Sequence, residues 1–260
     1  MLRYFPKADA YFASANRPDI AVSDLSIPGA PDFLRGKTLL FASDFHLRSK
    51  MDPACILEPM LCVHADLIFL GGDFSDTRDQ ALRLFDAFRA LRAPMGIFAV
   101  CGNNDAEAFG DHSTLADALN IFGAQLLVNR SISLHLPGGN LHIGGLDEPR
   151  HGHPNCTNLF PNADGYRILL SHYPILPSES AAPHLMLSGH THGGQFNCLG
   201  LNPYSIGFER FGHKKHLAAA MVSGSRSFGL TTLLVSKGIG ASRIPLRIGV
   251  RPEIHRISFC

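Results

Sequence analysis

Residues 96–105 read GIFAVCGNND: an apolar run from Ile97 to Cys101 stops at Gly102 and gives way at once to Asn103, Asn104 and Asp105. Consecutive apolar residues bounded by glycine predict a strand buried on both faces. Asn and Asp favour turns because their side chains bond nearby backbone, so one such ending would need no further account. The ending recurs, however. TLLFASDFH (38–46) finishes at Asp44 and His46, and DLIFLGGD (66–73) at Asp73, with Asp76 close behind. YRILLSHYP (166–174) carries His172, and HLMLSGHTHGG (184–194) carries His190 and His192.

Between the early strands lie helical patterns. In DQALRLFDAFRALRAP (79–94), Leu82, Phe85, Phe88 and Leu91 recur at helical spacing, and Pro94 stops the continuation. In STLADALNIFG (113–123), Ser113 or Thr114 is the expected cap, Leu115, Leu119 and Phe122 share a face, and Gly123 terminates. Alternating strands and helices argue for an α/β fold. LHIGGLDE (141–148), LTTLLVSKGIG (230–240) and EIHRISF (253–259) read as further strands, so two packed sheets covered by helices are expected. We read residues 1–260 as one domain, with lead-in strands in 1–36, the polar strand ends in 37–195 and closing strands in 196–260.

Composition narrows the function. With 260 residues, 45% of them hydrophobic and 17% charged, the chain can bury a large core. A formal net charge of +1 disfavours an extended nucleic-acid binder, although Lys214 and Lys215 make a local basic patch. The six cysteines form no C-x-x-C pair, which favours free thiols in a reducing compartment. The start of the chain is broken by charge and proline, and no apolar run is long enough to span a bilayer. The expectation is a cytoplasmic protein with no transmembrane segment, with peripheral membrane contact left open.

In open α/β sheets ligands bind where the carboxyl ends of strands converge, so these polar endings are expected to meet. Imidazoles, carboxylates and an amide carbonyl suit borderline or hard divalent ions. They are too numerous for one closed tetrahedral site, so two ions sharing a carboxylate is the economical reading.

The ordered set Asp44-x-His46, GGDFSD around Asp73, GNND around Asn103, SHYP at His172 and GHTHGGQ resembles the calcineurin-like metallophosphoesterases. GHTHGGQ with VSKGIGASRIPLRIGVRPEIHRISF (235–259) is similar to a bacterial subgroup, the YkuE/YaeI-like phosphoesterases. The resemblance implies a four-layer α/β/β/α sandwich. It also implies two divalent ions, manganese favoured over iron or zinc, the first held by Asp44, His46 and His192 and the second by Asn103, His172 and His190. Asp73 would bridge both, with a shared hydroxide opposite that attacks a phosphodiester or pyrophosphate in line. Asp76 and Asp105 are candidates to orient the imidazoles or to cap helices.

One position departs from the pattern. Many members of the family carry a proton-donating His where this chain has Asn104, and an amide cannot deliver a proton at neutral pH. The expected substrate is therefore a phosphorylated small molecule, or a nucleotide-sugar-lipid pyrophosphate, whose leaving group departs easily. Asp105, His112, His151 and His153 are candidate substitute acids, and His213 and His216 candidate substrate contacts. The competing readings are a cyclic-nucleotide or nucleic-acid phosphodiesterase, and a metal-dependent interaction scaffold without catalysis.

Overall fold

The computed structural model describes residues 12–14, 18–160, 164–177, 182–197, 201–204 and 221–260. His213, Lys214, Lys215 and His216 lie outside the described residues. The strands are β1 (Phe12–Ser14), β2 (Ala21–Ile27), β3 (Thr38–Ala42), β4 (Leu67–Leu70), β5 (Ile97–Ala99), β6 (Ala124–Leu126), β7 (Arg130–Leu136) and β8 (Gly139–Gly145). They continue as β9 (Tyr166–Leu170), β10 (Leu185–Ser188), β11 (Gly224–Phe228), β12 (Thr231–Val235), β13 (Leu246–Ile248) and β14 (Glu253–Phe259). The α-helices among the described residues are α1 (Ala54–Leu61), α2 (Arg78–Phe88), α3 (Asn103–Phe109) and α4 (His112–Asn120). No helix is long and apolar enough to cross a membrane among these residues.

Two six-stranded mixed sheets form the body, in the orders β2-β14-β3-β4-β5-β6 and β11-β12-β10-β9-β8-β7. Strands β3 to β6 run parallel in the first sheet, and β8, β9, β10 and β12 run parallel in the second. The sheets face each other across an apolar layer built from Phe41, Phe69 and Phe98 on one side and Ile143, Ile168 and Leu187 on the other. The four helices pack on the outer face of the first sheet, where Phe74, Phe85 and Phe88 meet Phe45 and Phe122 in stacked, tilted and edge-to-face pairs. On the outer face of the second sheet, Leu146, Leu159 and Met221 pack against Leu169, Met186 and Leu233. Strands buried on both faces are why these segments read as unbroken apolar runs.

Local details differ from the sequence expectation where tertiary contacts decide. Asp111, not Ser113 or Thr114, caps α4, its Oδ1 accepting from the Thr114 amide at 2.8 Å. Helix α1 carries Pro59 in its interior, which weakens the sequence signal, yet Ile56 and Met60 are buried against the first sheet. The GNND tail is not a loop: Gly102 precedes α3 in extended backbone, and Asn103 is its first residue.

The C-terminal strand β14 lies between β2 (parallel) and β3 (antiparallel). Its first residue, Glu253, is buried and accepts from Ser23 Oγ (3.0 Å), the Lys237 amide (3.1 Å) and Lys237 Nζ (2.9 Å). Burial pushes the Glu253 pKa up, but His255 at 3.4 Å and the Lys237 ammonium outweigh it and hold it at about 2, against 4.5 normally. A depressed carboxylate pKa stabilises the fold above the unfolded value and loses that contribution as pH falls through the folded value. Glu253→Gln is therefore expected to lower stability by about 1–3 kcal/mol at pH 7. It should also flatten the acid limb between pH 4.5 and 2, as read by chemical denaturation across pH.

Candidate metal centre

The carboxyl ends of parallel strands from both sheets converge at one edge of the sandwich, and the seven candidate ligands arrive there from five of them. Asp44 and His46 follow β3, Asp73 follows β4, Asn103 follows β5, His172 follows β9, and His190 and His192 follow β10. All are buried except His190, which is partly covered.

Five of the seven hold positive φ: Asp44 (53°), His46 (39°), Asp73 (55°), His190 (69°) and His192 (54°). Left-handed backbone costs roughly 1–2 kcal/mol per non-glycine residue, so surrounding structure must enforce it. The enforcement is visible. The Asp44 amide donates to Gly72 O (2.9 Å) and the His46 amide to Asp73 O (3.0 Å), stitching one strand end to the next. Asp105, fully buried, accepts from the amides of Asp73 (2.7 Å), Phe74 (2.8 Å) and Gly102 (2.9 Å). A Cβ on Gly102 would overlap the Asp73 carboxylate, and one on Gly189 would overlap that of Asp44. Glycine is required at both places by close approach.

Asp44, His46, Asp73 and His192 place ligand atoms within 4.8 Å of one another. His46 Nδ1 donates to Asp76 Oδ1 at 3.0 Å, which leaves Nε2 with its lone pair facing inward, 3.4 Å from Asp73 Oδ2. His172 repeats the arrangement: Nδ1 donates to Gly71 O at 2.7 Å, and Nε2, buried without a hydrogen-bond partner, lies 3.4 Å from the same Asp73 Oδ2. Acceptors facing acceptors in a buried site call for a cation between them, and a divalent ion with nitrogen and oxygen ligands fits. Burial alone would raise the Asp73 pKa, yet positive charge beside it, a proton on His172 or His46 standing where the cation would, holds the carboxylate far below its usual range.

The remaining residues gather around Tyr173. Its ring stacks on His190 with centroids 3.6 Å apart, and its hydroxyl donates to Asn103 Oδ1 at 3.3 Å. The rings of His190 and His172 lie 5.2 Å apart. Burial pushes the His190 pKa down to about 3, so the ring is neutral and able to ligate. His192 lies against Arg247, whose Nη1 donates to its carbonyl at 3.3 Å. Asn104 donates through Nδ2 to Asp76 at 2.8 Å and accepts from Asn103 Nδ2 at 2.6 Å.

The candidate substitute acids are placed differently. Both oxygens of Asp105 are engaged by backbone amides inside the protein, so it holds the loops in place and does not face the cluster as an acid. His112 Nε2 is 3.0 Å from Asp147 Oδ1, His151 is held between Glu148 (2.9 Å) and Glu107 (3.2 Å), and the His153 amide donates to Asp147 Oδ2. Sequence reasoning missed Tyr173, Arg247 and the buried pair Asp147 and Glu148. The last two follow β8, and their signal was present as one more apolar run ending in acids.

Residues 37–194 match the sequence pattern of the calcineurin-like phosphoesterases. The chain belongs to that family. It is 29% identical to an uncharacterized metallophosphoesterase, YkoQ of Bacillus subtilis, over 95% of this chain and 94% of that one. It is 28% identical to the phosphodiesterase YaeI of Escherichia coli, over 83% of this chain and 79% of that protein. Calcineurin-like phosphoesterases are metal-dependent phosphoric ester hydrolases, and the cluster at the strand ends is where this member can hold its divalent metal.

Asp105 makes a direct test of the scaffold. Asp105→Asn replaces one acceptor by a donor that faces backbone N–H groups. It should cost about 1–3 kcal/mol of stability and weaken Mn²⁺ affinity measured calorimetrically. Unchanged affinity would show that the loops hold their geometry without the carboxylate.

Proposed function

We propose that this calcineurin-like phosphoesterase hydrolyses phosphodiester or pyrophosphate bonds of a phosphorylated small molecule with two divalent ions, manganese favoured. Asp44, His46 and His192 would hold one ion and Asn103, His172 and His190 the other, with Asp73 shared. The observation that carries this reading is Asp73 Oδ2, which lies 3.4 Å from His46 Nε2 and 3.4 Å from His172 Nε2. One carboxylate oxygen between two inward-facing imidazole lone pairs is what a bridging ligand requires. Bound ions of this kind polarise a phosphoryl group and lower the pKa of water, so that it attacks near neutral pH.

The chain's own residues do the rest. Asp76 and the Gly71 carbonyl fix the tautomers of His46 and His172, so the correct nitrogen of each faces the cluster. Tyr173 keeps His190 and Asn103 in register. Asn104, tied to Asp76, offers an amide where many relatives carry a proton donor. It can orient a leaving oxygen but not protonate it, which supports substrates whose leaving group is already a good one.

Bis-p-nitrophenyl phosphate should be cleaved with Mn²⁺, with activity removed by chelation, restored by the metal and abolished in Asp73→Asn. A protein that binds Mn²⁺ tightly yet cleaves no phosphoester would overturn the proposal. General-acid help contributes about 10²–10⁴-fold. Asn104→His, beside Asp76, should therefore speed alkyl diesters at least about tenfold while leaving p-nitrophenyl esters nearly unchanged. An unaltered dependence of rate on leaving-group pKa would sink the argument from the missing acid.

A further inference from the structure

The loop after β8, residues 146–155, is built to hold a fixed shape beside the metal centre. Two buried carboxylates organise it from within. Asp147 accepts from the amides of Glu148 (2.9 Å) and His153 (2.9 Å), and Glu148 from those of Arg150 (2.8 Å) and His151 (2.6 Å). Asn129 closes the base, its Oδ1 accepting from the Asp147 and Asn155 amides and its Nδ2 donating to His153 O. The loop is then fastened to α3, because Arg150 Nη2 and His151 Nε2 both lie 3.2 Å from Glu107 Oε1. Glu107 stands one helical turn beyond the ligand candidate Asn103 and beyond Asn104, which takes the place of the proton donor.

Arg150 is the residue this arrangement presents. Its side chain is 37% exposed, and its one carboxylate partner among the described residues is a half-exposed glutamate. It is also close enough for its charge to be felt at His190 and at the Tyr173 hydroxyl. A guanidinium stays charged at any working pH and matches phosphate bidentately, but it does not act as a proton donor. Those properties answer the deficit at Asn104: a leaving group that is not protonated can instead have its charge neutralised.

Building on the proposed phosphoesterase function, we infer that Arg150 binds a phosphate on the departing half of the substrate, exchanging Glu107 for it. The substrate class is then a phosphoanhydride whose leaving group is itself a phosphate monoester. In the reaction the oxygen of water bonds to the attacked phosphorus as the P–O bond to the departing phosphate breaks. The bonding pair leaves on that oxygen, where Arg150 meets the negative charge. Both products are phosphate monoesters, each with a second pKa of about 6, so at neutral pH most of both water protons is released to solvent.

The test compares the Mn²⁺-loaded enzyme with Arg150→Ala and Arg150→Lys on two substrates. ADP-ribose carries the second phosphate, and bis-p-nitrophenyl phosphate lacks it. The expected result is that Arg150→Ala lowers kcat/KM for ADP-ribose about 10²-fold or more, in line with the loss of a charged hydrogen-bonding partner, and for the aryl diester less than threefold. Arg150→Lys should recover only part of the loss. Titration calorimetry with AMP, standing for the departing monoester, should show at least tenfold weaker binding to Arg150→Ala, with Mn²⁺ affinity and melting temperature unchanged. Equal losses on both substrates, or AMP affinity unaltered, would overturn the assignment of Arg150. No cleavage of either substrate by the wild-type enzyme would overturn the phosphoesterase reading itself, which keeps the two failures apart.

Discussion

The Asp105 carboxylate accepts three backbone hydrogen bonds, from Asp73, Phe74 and Gly102, and the geometry of the candidate metal cluster is built on that convergence. Asp73 belongs to the end of β4 and Gly102 to the end of β5, so one side chain joins the two neighbouring strand ends. It fixes the left-handed turn at Asp73 from behind while the Asn104 amide holds Asp73 Oδ1 at 2.9 Å from the front. Burial, with the nearby Asp73 charge adding to it, lifts the Asp105 pKa to about 7. Such a group is retained in a core only where its hydrogen bonds are complete, as these are.

Around that anchor the fold solves a packing problem that one sheet does not. Carboxylates and imidazoles must point inward at close range, although each alone would prefer water. Bringing the strand ends of two sheets to one edge allows β3, β4 and β5 to supply residues from one side and β9 and β10 from the other. The apolar layer between the sheets holds the two halves in register, and the positive-φ turns at Asp44, His46, Asp73, His190 and His192 aim the side chains. Strain at these positions is tolerated because the backbone amides around them are satisfied by neighbouring strand ends.

Much of this was legible in the residues. The apolar runs at 38–42, 67–70, 97–99, 166–170, 185–188 and 231–235 are strands because burial on both faces leaves a nearly unbroken pattern, and EIHRISF at 253–259 is a strand in which Arg256 faces outward. Other elements were hidden. Helix α1 carries a proline that its burial against the first sheet overrides. Helix α3 opens on two asparagines, whose ordinary preference is for turns. The loop at 146–155 gives almost no periodic signal, since its order comes from Asp147 and Glu148 folding back on their own backbone.

The sequence by itself determined the α/β class, the family and the chemical types gathered at the strand ends. Those depend on local apolar patterning and on residue order, which the chain carries without folding. Which nitrogen of each histidine faces inward, that Asp73 faces the cluster while Asp105 holds backbone, and that Arg150 stands beside Asn104's helix were decided only by the tertiary structure. Each of those rests on a contact between residues tens of positions apart: Gly71 with His172, Asp105 with Asp73, and Glu107 with Arg150. Spacing along a chain carries no information about such distances until the two sheets have packed.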